Sequence, residues 1–143
     1  MSASKSSSYE ILTLESNDQQ RTVDIRTGTV SVDYYEDIFS PTITAKIKVA
    51  NTGTSIAPKD NPDGPKQSIY HGLPLRGGER LRMKILDRGD GKLGLDFATD
   101  SSKYLFVSSI TDVVSETQRE SFTLNLVSRE AITNETTRVI KKY

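Results

Sequence analysis

The sequence predicts a mainly β protein, an antiparallel barrel or sandwich with little helix. Three runs carry that expectation. In "TITAKIKVA", Ile43, Ala45, Ile47 and Val49 fall on one face and Thr42, Thr44, Lys46 and Lys48 on the other. In "ERLRMKILD", Leu81, Met83 and Ile85 alternate with Arg80, Arg82 and Lys84, and in "RESFTLNLVS", Phe122, Leu124 and Leu126 share a face. A period of two belongs to a strand whose successive side chains point to opposite sides of a sheet, one side buried and one wet. Ile43, Ile47, Val49, Leu81, Met83, Ile85, Phe122, Leu124 and Leu126 are therefore the expected core.

Taken in order, residues 1–8 ("MSASKSSS") are small and polar and bury too little surface to offset their ordering entropy, which predicts a flexible arm ending near Tyr9. Residues 9–143 are expected to form a single domain. "RTVDIRTGTVSVDYY" alternates through Val23, Ile25, Val30 and Val32, and Thr27-Gly28 between its halves reads as the turn of a short hairpin. Pro41 cannot donate to a ladder and is expected at the entrance of the following strand. Residues 51–78 hold four of the five prolines, so only a short helical turn at "QSIYHGL" fits there. Loops of this length in a compact domain are commonly functional or disordered. "DRGDGKLG" turns the chain, and "KYLFVSSITDVV" and "RESFTLNLVS" are two further strands. Ser128 followed by Glu130, Ala131 and Ile132 predicts a terminal helix capped by the Ser hydroxyl.

Composition limits the function classes. At 143 residues, a chain buries roughly two-thirds of the surface its unfolded form exposes, enough for one core. Nineteen Lys+Arg balance nineteen Asp+Glu, so no net charge draws the protein onto nucleic acid or an anionic membrane. Cysteine is absent, which removes disulfides, thiolate metal sites and a cysteine nucleophile. No apolar run approaches the roughly 18 residues of a membrane span, and the first residues lack an apolar signal core; a soluble intracellular product without a membrane partner is expected.

Few motifs point to chemistry. "GDGKLG" at 89–94 satisfies G-x-G-x-x-G, but "LDFATD" after it does not read as the helix whose N-terminus would hold a phosphate. A hairpin loop is the better reading. Asp87, Asp90, Asp96 and Asp100 lack the spacing of a calcium loop and read as a solvated turn. His71 is the single histidine, which excludes a multi-histidine metal site, and no serine lies in a nucleophile elbow. No cofactor and no enzymatic activity are expected. The basic residues Lys46, Lys48, Arg80, Arg82 and Lys84 all occupy wet faces of alternating strands. Such a face suits an acidic partner or a passing nucleic acid, or else is a solvated surface whose long stems shield the sheet. Base-stacking aromatics are not interleaved, which favours the second reading.

The order of these features resembles the amino-terminal part of the baseplate hub protein of contractile-tailed phages, over about residues 20 to 143. The residues that carry the resemblance are Ile38-Phe39-Ser40-Pro41 before a strand, Leu73-Pro74-Leu75 with Gly77-Gly78-Glu79 before the next, and Ser128 through Tyr143. It implies a tail-tube-like β-barrel that serves as a ring segment adapting the tube to the spike, a structural and not a catalytic role. The implied partners are copies of itself or homologous tail proteins in a ring, the tail tube and spike proteins, and passing phage DNA. The implied location is the virion tail, assembled in the host cytoplasm. The chain has length for one tube-like domain and is expected to be either a fragment of a longer hub protein or a shorter adaptor. In this setting the 51–78 excursion is suited to reaching a neighbouring subunit, with Ile56, Ile69, Tyr70 and Leu73 as apolar interface candidates. A different class, a small-ligand or carbohydrate-binding β-sandwich with this loop as its rim, is the alternative; the absence of Trp counts against a sugar platform.

Overall fold

A computed structural model describes residues 7–51, 56–58, 60–87, 94–116 and 119–136. The strands are β1 (Ser8–Glu15), β2 (Thr22–Asp24), β3 (Thr29–Tyr35), β4 (Thr44–Asn51), β5 (Arg80–Leu86), β6 (Gly94–Phe97), β7 (Leu105–Ser115) and β8 (Glu120–Val127). The helices are α1 (Ile69–Gly72) and α2 (Arg129–Thr136). All strands belong to one antiparallel sheet in the order β2-β1-β5-β7-β8-β4-β3, with β6 on β5. One edge of β5 is shared: Arg80 and Leu81 pair with β7, and Met83 to Leu86 pair with β6.

The alternating runs behave as expected. In β8 the pattern is buried at Phe122, Leu124 and Leu126, and these stand opposite Val49, Ile47 and Ala45 of β4. Leu81 and Met83 of β5 join them, opposite Leu14 and Leu12 of β1. Ile43 and Ile85 are only partly buried, because Ile43 precedes β4 and Ile85 lies near the far end of β5. Two strands were not legible in advance. β1 buries just two large side chains, Leu12 and Leu14, in a polar context, and β6 is four residues long.

The predicted hairpin over residues 21–35 does not form. β2 pairs with β1 and β3 pairs with β4, at opposite ends of the strand path. The residues read as a turn are a 3-10 turn, Arg26–Gly28, packed against both β1 and β4. Ile25, 1% exposed, donates its N–H to the Leu12 carbonyl, and its own carbonyl accepts the Thr29 hydroxyl. Arg26 donates to the Glu10 carbonyl and pairs with Asp24. The five steps from Asp24 to Thr29 reach at most roughly 18 Å. A sheet whose two end strands are tied so closely has to curl, and this one curls into a half-barrel around its apolar face.

The end of β8 is fixed to the start of β4. Ser128 is buried, and its hydroxyl accepts the Ile43 N–H at 3.0 Å while the Ile43 carbonyl accepts the Ser128 N–H at 2.9 Å. The expected cap on α2 is thus replaced by a bond that extends the β4–β8 ladder. Among the described residues, no helix is long and apolar enough to cross a membrane.

Candidate functional site

The loop after β4 folds back onto the barrel. Ile56 and Gln67 form an isolated antiparallel bridge, with N–H to carbonyl distances of 3.0 and 2.6 Å. The Ser68 hydroxyl then caps α1 by accepting the His71 N–H. Ile56 (9% exposed), Ile69 (5%) and Leu73 (1%) belong to the same apolar cluster as the strand residues, and Tyr70 packs beside Phe122 with ring centroids 6.1 Å apart. The four side chains expected to reach a neighbour are thereby turned inward. A proline-rich segment with few conformations to lose can fold back cheaply, and apolar groups gain more from the core than from water. Gly72 permits the closure: a Cβ there would lie 2.7 Å from the Ile56 Cβ and Cγ2.

The segment leading into β5 is held by a buried acid. Glu79 is 0% exposed, and its carboxylate accepts the Arg76 N–H at 2.7 Å and the Gly77 N–H at 2.9 and 3.1 Å. Gly77 and Gly78 have φ of 111° and 87°, a region that L side chains disfavour. The Gly78 N–H bonds the Val107 carbonyl and the Asn17 amide bonds the Gly77 carbonyl, so this turn ties β5, β7 and the β1–β2 connection together. A second buried acid, Glu120, receives the Tyr70 N–H on Oε2 at 3.5 Å, and its Oε1 has no hydrogen-bond partner among the described residues.

Beside this turn lies an open cleft of about 460 Å³ lined by Ser16, Asn17, Arg21, His71 and Arg76, among others. Arg21 braces it by donating to the Gly72 carbonyl at 2.9 Å. The cleft offers the cationic groups of Arg21 and Arg76, the carboxylates of Asp18 and Asp60, and the Ser16 hydroxyl, which donates to the Asp18 carboxylate at 2.6 Å.

The basic face is less continuous than its sequence suggests. Lys46 and Lys48 are exposed on β4, whereas Arg80, Arg82 and Lys84 lie on β5, with β7 and β8 between. At a strand spacing of about 4.8 Å the two groups are roughly 14 Å apart. Arg80 forms a two-pronged bond to Glu15, Lys84 pairs with Glu10 at 3.1 Å, and Arg82 lies over the Tyr104 ring at 5.6 Å. Lys46 is opposite Asp33 in the β3–β4 register. The chain therefore offers two separated basic patches, each partly neutralised.

The connection between β3 and β4 carries the most exposed large apolar groups, Ile38 (91%) and Phe39 (89%). The backbone beneath them is braced: Asp37 accepts the Phe39 N–H on its side chain and the Ser40 N–H on its carbonyl. Nearby, Tyr34 of β3 lies 5.8 Å from Phe97 of β6 and donates to Glu36. Burial, with the Glu36 carboxylate as a smaller cause, pushes its phenol up to about 12.

Among the described residues no cluster of three metal-ligating side chains occurs. Asp96 and Asp100 instead brace turns: Asp96 accepts the Thr99 hydroxyl and the Ala98 and Thr99 N–H groups, which hold its carboxyl down to about 2. Asp100 caps the turn at Ser101–Lys103. The "GDGKLG" run, apart from Gly94, lies outside the described residues. Searches for relatives return no matching family model, curated protein or solved structure.

Proposed function

We propose that this chain is a structural ring segment, a component of a phage tail baseplate hub or tail tube, and that it works by assembly and not by catalysis. One observation carries the reading. The curled sheet ends in β2 and β3, which among the described residues each have a partner on one side only, and the β3–β4 turn projects two large apolar side chains into solvent. Unpaired edges and exposed apolar groups are costly features in a monomer and useful ones in a subunit. The order of residues that resembles the hub family supports the same reading. Two patches of basic residues, at Lys46 and Lys48 and at Arg80, Arg82 and Lys84, allow only local contact with passing DNA.

The test is co-expression of the full chain with tail-tube and spike proteins of a contractile tail, followed by electron microscopy of the purified assemblies. Rings that contain the chain are expected. A chain that stays out of every assembly and off the tail would overturn the proposal. A second reading, a small-ligand module, rests on the cleft at Arg21, His71 and Arg76. Chemical-shift changes confined to those residues on titration with small anionic metabolites, together with failure to enter rings, would favour it.

A further inference from the structure

The exposed Ile38–Phe39 turn has a counterpart on the same chain. A hollow of about 460 Å³ lies between β2 and the loop after β4, lined by Arg21, Thr22, Val23, Ile56, Ala57 and Pro58, with Gln20 and Pro62 at its edge. It is a shallow depression open to solvent, with a volume that leaves room for a Phe and an Ile side chain. The turn cannot fill the hollow of its own chain. β3 begins beside the hollow, where Thr29 pairs with Val49 and the Arg26–Gly28 turn follows Val23, and it ends at Tyr35 just before the apolar pair. Its seven residues span about 20 Å, so knob and hollow lie at opposite ends of the β3–β4 hairpin.

Charge is arranged to match. Glu36 and Asp37 stand exposed beside the knob, and Arg21 forms one wall of the hollow. Asp37 holds the knob in a fixed turn, so little conformational freedom is lost when the knob is covered. We propose that the Ile38–Phe39 turn of one copy inserts into the Val23–Ile56–Pro58 hollow of a second copy. The contact joins two different patches and is therefore head-to-tail, so it repeats around a ring if its rotation closes. This inference rests on the ring-segment reading and names the contact that would build the ring. The loop after β4 then does serve an interface, as the wall of a socket and not as a set of projecting anchors.

Two variants of the full chain test it. Ile38→Ser with Phe39→Ser removes the knob, and Thr22→Arg fills the hollow; both change exposed positions, so melting temperatures should stay at the wild-type value. In sedimentation velocity the wild type should self-associate with rising concentration, and each variant should do so about tenfold more weakly or worse. An equimolar mixture of the two variants should recover dimers and nothing longer, because it holds one intact knob facing one intact hollow. The chain has no cysteine, so a mixture of Phe39→Cys and Ala57→Cys should give a single intermolecular disulfide under mild oxidation. Wild-type association by the knobless variant, no recovery on mixing, or a wild type that stays monomeric without cross-linking each overturns the contact. Normal entry of the knobless variant into tail rings would overturn the contact and leave the ring-segment reading standing. Association through the knob by a chain that enters no ring would do the reverse.

Discussion

Replacing Glu79 by Ala should be among the most damaging single changes in this protein, although the residue is polar and sits at a turn. Its carboxylate is fully buried and receives the Arg76 and Gly77 N–H groups at 2.7 to 3.1 Å. Removing it takes the acceptor from two part-buried donors, at about 1.5 kcal/mol each for hydrogen bonds to a carboxylate, and opens a void where the buried side chain stood. The expected loss is about 3–5 kcal/mol, a large part of the roughly 5–15 kcal/mol that holds a domain together. At roughly 3–4 °C per kcal/mol for a chain of this size, the melting temperature should fall by about 10 °C or more. Glu79→Gln keeps one oxygen, which in the place of Oε1 still accepts both N–H groups, and sets an NH2 against the Gly77 N–H in the place of Oε2, so it should lose about half as much. Thermal and urea denaturation followed by circular dichroism measure both. An Ala variant melting within about 2 °C of the wild type would refute the idea that the carboxylate pins this turn.

Leu124→Asp should abolish the cooperative transition in circular dichroism, because an unpaired charge at this fully buried position costs on the order of the whole stability; wild-type melting would remove Leu124 from the core. Gly72→Ala should cost about 1–3 kcal/mol by forcing Ile56 away, measured as a lower urea midpoint with unchanged slope. The Tyr34 phenol ionises later in the folded chain than the ordinary value near 10, so the stability it contributes is present below pH 10 and is lost as pH rises through about 12. Urea titrations should show the wild type losing more stability than Tyr34→Phe between pH 10 and 12; equal losses would exclude burial of this phenol as a cause.

The strands with a full apolar face were legible because alternation is a local property: Ile47, Val49, Leu81, Met83, Phe122, Leu124 and Leu126 are all buried. Partnership is not local. Thr27-Gly28 carries a turn signal whether the flanking strands pair with each other or lie at opposite ends of a sheet, and here they lie at opposite ends. Ile56, Ile69 and Leu73 follow no period, so their burial could not be read until the loop was seen to fold back. Glu79 is concealed by its type, since a carboxylate next to two glycines reads as a polar turn until its N–H partners are known. The basic stripe was half legible. The outward faces of β4 and β5 are as the alternation requires, but the two intervening strands and the acids Glu10 and Glu15 become apparent only with the register.

The place of β8 in the strand path affects how the chain is made. β8 is the last of the described strands yet stands between β7 and β4, with β2, β1 and β5 beyond one neighbour and β3 beyond the other. On the ribosome, β3 and β4 can zip as soon as they emerge, and β1 can meet β5 once residue 86 is out. These two pieces are joined by the Ile25–Gly28 link and by the loop from β4 to β5, and the open edge of β4 has no mate among the described strands until Glu120–Val127 appears some seventy residues later. At about 5–20 residues per second, that edge stays uncovered for roughly 4–14 s. Lys46 and Lys48, which repel their counterparts on a second nascent chain, lie on the strand that waits. A chain halted before residue 120 would leave both pieces with sticky margins, so such truncated products should fall to aggregation or proteolysis well before the 143-residue chain does.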